Sequence, residues 1–323
     1  MRLFVTVLWI LAVGVSEPSQ ASAQTGVASP NRRIVLTIDD LPAQLAPGLS
    51  RERLQAITGP LLSTLQNQQV PAVGFVNEEK LYPGGKLDSS RIAFLEQWLA
   101  AGFELGNHTF SHPDLHHTPL EEFQEDVLRG EKVSRPLAAV RHRPYRYFRH
   151  PFLHTGLDLE NKIALEDFLE QHGYEVAPVT IDNSEWIFAR AFDHALDQDD
   201  SNLQKRLGPE YVDYMLSMTA YYEDQSRSLF DREIPQILLL HANDLNARYL
   251  GSLLAALAQR GYSFIDLETA LEDPAYSSPD AYVGPGGITW LHRWALTRGV
   301  DRSFFAGEPT TPLWVQQLAG IEE

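Results

Sequence analysis

Two histidines four residues apart, His108 and His112, and two adjacent acids, Asp39 and Asp40, are the residues of this 323-residue chain best placed for chemistry. On a helix, that histidine spacing would set both imidazoles on one face, a geometry zinc uses. No Glu follows His108, so the pattern is not that of a metalloprotease helix. His112 and His116 share the spacing, but Pro113 makes the turn between them irregular. Asp40 offers a third ligand. Two imidazoles and one carboxylate leave a fourth position for water, the layout of a catalytic zinc site. In a regular strand Asp39 and Asp40 would face opposite ways, but at a strand end the chain can bend, with one acid on a metal and the other free. The plainer reading is that Asp40 caps the next segment and Asp39 is solvated. Both directly follow an apolar run, which predicts burial, and buried carboxylates need partners.

These residues belong to a wider set. Asp39-Asp40, His108 to His112, Arg149, Asp182 and His241 each stand at the end of an apolar, β-rich run or just past it. The runs are Ile34 to Ile38, Val70 to Val76, Phe103 to Leu105, Tyr145 to Phe148, Tyr174 to Ile181, Gln236 to Leu240 and Tyr262 to Ile265. Helical patterns separate them. One is capped by Ser50 and runs to Asn67 through Gly59-Pro60; a second covers Ser89 to Ala101. A third starts at a Thr118-Pro119-Leu120-Glu121 capping box and runs to Val133; others cover Asp158 to His172 and Ala247 to Arg260. The stretch 187–232 also reads as helix. Seven strands alternating with helices predict an α/β fold with a parallel sheet, either open and doubly wound or closed into a barrel. In both, the carboxyl ends of the strands converge on one face, where sites are built.

Composition narrows the function classes. With 26 Lys+Arg against 43 Asp+Glu, the net charge of −17 repels phosphate backbones and anionic membranes, so no nucleic-acid partner is expected. The absence of cysteine excludes disulfides, thiolate metal sites and cysteine nucleophiles. Met1-Arg2, the apolar run Leu3 to Val15 and Ala21-Ser22-Ala23 read as a signal peptide cut after Ala23. The apolar run is too short to span a bilayer comfortably. The expectation is an exported protein, periplasmic or secreted, without stable membrane insertion. Residues 24–32 would then form a polar lead-in, 33–272 a catalytic domain, and the Pro/Gly-rich 273–323 an extension packed on it. No protein partner is evident.

Taken in order, the clusters resemble the motifs of the polysaccharide deacetylase family, the NodB-homology or carbohydrate esterase family 4 enzymes. They read Thr37-Ile38-Asp39-Asp40, His108-Thr109-Phe110-Ser111-His112, Arg149-His150-Pro151-Phe152, Asp182-Asn183-Ser184-Glu185-Trp186 and Ile237-Leu238-Leu239-Leu240-His241. Leu41 and Leu153 stand where Gly is usual, and Glu185 replaces the second Asp of the fourth motif. The resemblance implies a distorted seven-stranded (β/α) barrel and metal-dependent removal of N- or O-acetyl groups from a glycan such as chitin-like, peptidoglycan or xylan material. It implies a divalent metal, usually zinc, on Asp40, His108 and His112, with Asp39 as general base and His241 as proton donor. Arg149 would orient Asp39 and keep it ionised, and Asp182 would pair with Arg149 or tune His241. The Phe152 backbone N–H would face the oxyanion, and Trp186 and Leu239 would wall the acetyl pocket. Two other readings use the same barrel: an amidase acting on a small non-carbohydrate amide, and a non-catalytic glycan binder.

Overall fold

The computed structural model describes residues 32–323. The expected signal peptide and the lead-in up to residue 31 lie outside the described residues. Seven strands run in chain order: β1 (Arg32–Leu41), β2 (Ala72–Val76), β3 (Glu104–Asn107), β4 (Tyr147–Phe148), β5 (Glu175–Val176), β6 (Gln236–His241) and β7 (Tyr262–Phe264). Between and after them lie α1 (Arg51–Asn67), α2 (Ser89–Ala100), α3 (Leu120–Arg129), α4 (Ser134–Val140), α5 (Leu159–Gln171), α6 (Glu185–Asp197), α7 (Ser201–Phe230), α8 (Asp244–Gln259), α9 (Leu267–Leu271), α10 (Trp290–Thr297) and α11 (Leu313–Ala319). No helix among the described residues is long and apolar enough to cross a membrane.

All strand pairs are parallel, in the order β5-β4-β3-β2-β1-β6, with β7 on the first residues of β1. The expected strand over Tyr174 to Ile181 divides its pairing. Its first residues pair with β4, then the chain crosses to β6, where Ile181 bridges Leu238. The backbone N–H groups of Thr180 and Ile181 both donate to the Ile237 carbonyl. That crossing closes the curled sheet into a distorted barrel, and it explains why β5 is so short.

Side-chain alternation along β1 sorts the core. Ile34, Leu36 and Ile38 join the large cluster between the sheet and the surrounding helices. Val35 joins a second cluster with Val73, Phe75, Tyr147, Ala177 and Ile237, completed by Leu267 and Ala270 of α9. The residues that follow Val35 on its face are Thr37 and Asp39, so the alternation that fills the barrel also delivers a carboxylate to its carboxyl end. Ala275, Trp290, Leu291, Trp294, Val315 and Ala319 belong to the larger cluster, so residues 273–323 share the core of the barrel.

Some local expectations are corrected. Ser50 caps α1 as read, accepting from the Arg53 N–H. The Thr118 capping box does not form: Pro119 is the N-cap of α3, without a side-chain bond, and the helix stops at Arg129. The turn at Gly130 then leads into α4, which the continuous apolar pattern concealed. Its first N–H groups, on Val133 and Ser134, donate to the buried Glu78 carboxylate.

Candidate active site

The acid pair sits on an irregular strand end. The β1–β2 register slips between Ile38 and Leu41, and Asp40 has φ of +71°. Such a bulge lets neighbouring side chains depart from strict alternation. Both carboxylates therefore line one pocket, with Asp39 pointing inward as the alternation requires.

His108 and His112 also line this pocket, but not from a helix. Residues 108–113 form an irregular loop after β3, with positive φ at Thr109 and His112. Side chains hold the loop. Asn107 Oδ1 accepts the Thr109 N–H, and Thr109 Oγ1 accepts the His112 N–H. Asp126 of α3 accepts from the N–H groups of Phe110 and Ser111 and from the Ser111 hydroxyl, each at 2.8 Å. Gly130 lets α3 end against this loop, since a Cβ there would stand 2.4 Å from the Thr109 carbonyl carbon. The two rings meet edge to face with centroids 4.8 Å apart, so they converge where helical spacing alone would have left them roughly side by side.

Asp40, His108 and His112 each present a ligand atom, all within 4.8 Å of one another. His108 Nδ1 lies 2.8 Å from the Arg149 carbonyl oxygen, to which it donates, leaving the Nε2 lone pair for the pocket. Burial, helped by the neighbouring His112, drives His108 well below its ordinary range; burial also lowers His112. Both imidazoles are thus neutral, the form that binds a metal. Burial pushes the Asp40 carboxyl up, but the Lys80 ammonium, with the charge on His241, outweighs it and holds it below the usual carboxylate range. Lys80, which sequence reading passed over, places its ammonium 2.9 Å from Asp40 Oδ1. Two neutral imidazoles and an ionised carboxylate form a donor set that fits a divalent cation such as zinc.

Asp39 Oδ2 lies 3.8 Å from Arg149 Nε, and Asp39 Oδ1 is buried without a hydrogen-bond partner among the described residues. Burial pushes Asp39 up to about 6, and the Arg149 charge offsets only part of that. Arg149, itself fully buried, also donates to Thr37 Oγ1 at 2.8 Å and packs over the Phe75 ring inside the barrel.

The fourth motif contains the main surprise. Asp182 lines the pocket, but among the described residues its carboxylate accepts only the Asn183 N–H and touches neither Arg149 nor His241. Burial raises it to about 6. The partner of His241 is Glu185, whose Oε2 lies 2.9 Å from Nδ1. Glu185 is fully buried at the start of α6, and its Oε1 accepts from Asn243 and Asn246 at 2.5 and 2.6 Å. Burial lowers the His241 pKa, but the hydrogen bond and charge of Glu185 outweigh it and lift His241 to about 9. His241 is therefore an imidazolium at neutral pH. The replacement of Asp by the longer Glu gave no hint of this contact in the sequence.

The pocket has a volume of about 730 Å³. Leu239 lies in its wall; Phe152 and Trp186 line it while remaining 53% and 41% exposed, two aromatic faces open to solvent. Tyr214 and Met218 of α7, with Glu308, Pro309 and Thr310 from the C-terminal segment, complete the wall, and none of these was expected from sequence. The same segment clamps the third motif. Arg293 donates to the Leu153 carbonyl and to Thr155 Oγ1, each at 2.6 Å. A Cβ on Gly287 would stand 1.8 Å from the Phe152 carbonyl oxygen. Phe152 has φ of +55°, so the loop has little freedom to retreat. Gly287→Ala is expected to destabilise the protein by about 1–3 kcal/mol, the usual cost of overpacking, measured by chemical denaturation.

Residues 26–177 match the sequence model of a family described as polysaccharide deacetylase. The chain is 28% identical over 138 residues to a chitooligosaccharide deacetylase from Sinorhizobium fredii, covering 41% of this chain and 55% of that one. It is 29% identical over 136 residues to a chitooligosaccharide deacetylase from Bradyrhizobium, covering 41% and 54%. The chain thus spans about half the length of these curated relatives. Among solved structures, a family 4 carbohydrate esterase from Bacillus subtilis aligns with a TM-score of 0.45 at 19% identity, covering 75% of this chain and 81% of that one. A pseudoenzyme of the same family from Bacillus anthracis aligns at 0.49 and 16% identity, covering 76% and 66%. The family match takes in β1 to β5, with the acid pair, the histidine pair and Arg149 inside it, so this part of the chain is similar to the polysaccharide deacetylase family.

Proposed function

We propose that this protein is an exported, metal-dependent hydrolase that removes acetyl groups from a glycan. The observation that carries the reading is the meeting of three side chains able to ligate a cation, a buried carboxylate with one oxygen free of hydrogen bonds among the described residues, and an imidazole paired with Glu185, in one pocket flanked by exposed aromatic faces. Asp40, His108 and His112 would hold the cation, most simply Zn²⁺. When bound there, the cation supplies Lewis-acid chemistry at the acyl oxygen and makes a water more acidic.

The remaining steps belong to the chain. Asp39 takes the proton of the attacking water on Oδ1, which has no other partner to give up. Its raised pKa brings it toward the range in which a general base works best. Arg149 fixes the position of Asp39 from within the barrel. The backbone N–H of Phe152 faces the developing oxyanion. His241, held as an imidazolium by Glu185, donates a proton to the departing nitrogen or oxygen. Leu239 and Trp186 enclose the acetyl methyl, and Phe152 and Trp186 offer rings on which a sugar can lie. Asp182 lines the pocket near both His241 and Arg149 and acts on them through its charge.

Acetate release from acetylated chitooligosaccharides, peptidoglycan and acetylated xylan tests the reading and ranks the glycans. Release from one of them supports it; release only from small non-carbohydrate amides favours the amidase reading. Lys80 provides a second check. Its ammonium repels a cation and occupies an oxygen of Asp40, so Lys80→Met is expected to tighten Zn²⁺ binding by roughly tenfold, read by chelator competition.

A further inference from the structure

A second group of side chains able to ligate a cation lies beside Phe152, as the first does. The Phe152 ring centroid stands 4.5 Å from that of His112 and 5.7 Å from that of His154. Asp114, His116 and His154 offer one donor atom each, all within 4.8 Å of one another. We propose that Asp114, His116 and His154 form a second divalent-cation site, distinct from Asp40, His108 and His112, that ties the loop after His112 to the loop carrying Phe152.

The hydrogen bonds sort the donors. Asp114 Oδ1 accepts from His154 Nδ1 at 2.7 Å and from the His116 N–H at 2.9 Å. A cation taken between them would replace the proton shared by His154 Nδ1 and Asp114 Oδ1, two atoms already at ligand-to-ligand distance. Among the described residues Asp114 Oδ2 is engaged only by His117, whose side chain is 82% exposed, so this oxygen can turn to a cation at little cost. The His116 ring makes no hydrogen bond among the described residues, and its Nε2 is buried without a partner. A buried polar atom left unpaired is costly, and a ligand there would remove the cost.

The rings of His116 and His154 stack 3.7 Å apart and 10° from parallel. Parallel rings have parallel lone pairs, so cation binding turns one ring. His116 is the ring that can turn, because it has no hydrogen bond to lose. Two imidazoles and a carboxylate again favour zinc among the common divalent ions.

Zinc stoichiometry tests this directly, by elemental analysis after dialysis against a chelator-buffered Zn²⁺ solution. The wild-type chain is expected to hold two equivalents. The His116→Gln/His154→Gln double variant should hold one, and Asp114→Asn, which preserves side-chain shape, should also lose the second. The His108→Ala/His112→Ala double variant should keep one. A wild type holding a single equivalent that disappears with His108 and His112 overturns the second site and leaves the proposed function standing. A single equivalent that disappears only with His116 and His154 overturns the catalytic centre. Two equivalents retained by both Asp114→Asn and the His116→Gln/His154→Gln variant overturn the second site.

Discussion

Replacing Asp39 with Asn is expected to lower kcat by roughly 10²–10⁴-fold, the usual worth of a positioned base, and to leave zinc content at the wild-type level. The amide occupies the same buried position but cannot accept the proton of water. The three donors of the cation site are untouched. The loss should appear mainly in kcat, because the interaction removed belongs to the transition state. Its neighbour should behave differently. Asp40→Asn replaces an ionised ligand with a neutral amide and should weaken zinc binding. Excess Zn²⁺ should then restore Asp40→Asn in part and Asp39→Asn not at all. Steady-state kinetics with and without added metal, together with metal analysis, separate the two acids, and rescue of Asp39→Asn would show that their roles are reversed.

The second large effect is expected at Glu185. In Glu185→Gln the anion beside His241 Nδ1 disappears, and with it the hydrogen bond and charge that lift His241 to about 9. The imidazole should then lose its proton near neutrality, and the leaving group would lack its acid. We expect kcat to fall by roughly 10²-fold, the lower end of what a positioned acid contributes, with little change in zinc content. The matching Asp182→Asn variant should have a smaller effect, since Asp182 makes no contact with His241 or Arg149. An equal or larger loss at Asp182 would return the tuning role to that residue. Asn243 and Asn246 aim two amide N–H groups at the Glu185 carboxylate, so Glu185→Gln also turns an amide toward donors. A thermal melt run alongside the kinetics checks that the fold is kept.

What the sequence made legible follows from how local each signal is. Strand ends and their polar residues could be read because apolar runs stop where the chain leaves the barrel, and Asp39, Asp40, His108, His112, Arg149 and His241 all stand at such stops. Backbone irregularity was not legible. The bulge at Asp40 and the positive φ at His112 bring Asp40, His108 and His112 together, yet neither residue type announces such a conformation. His108 and His112 meet from a loop and not from a helix because Asn107, Thr109 and Asp126 supply the loop with its own hydrogen bonds. Contacts distant in the chain were equally hidden. Lys80 meets Asp40 across 40 positions, and Arg293 reaches Leu153 across 140. Glu185 could have been found by asking which acid begins the helix facing His241, but a conservative exchange of acids draws little notice. The short β5 hid its second pairing, because a residue such as Ile181 that bridges to a different strand looks in sequence like a continuation of the same one.

The most direct measurement of the central claim is acetate release from an N-acetylated chitooligosaccharide by chelator-stripped protein, before and after Zn²⁺ is returned. The account predicts no release from the stripped protein, recovery on adding the metal, and none in either state for the His108→Ala/His112→Ala variant. Release by stripped protein at the rate of the reloaded enzyme, or undiminished release by the His108→Ala/His112→Ala variant, would contradict it.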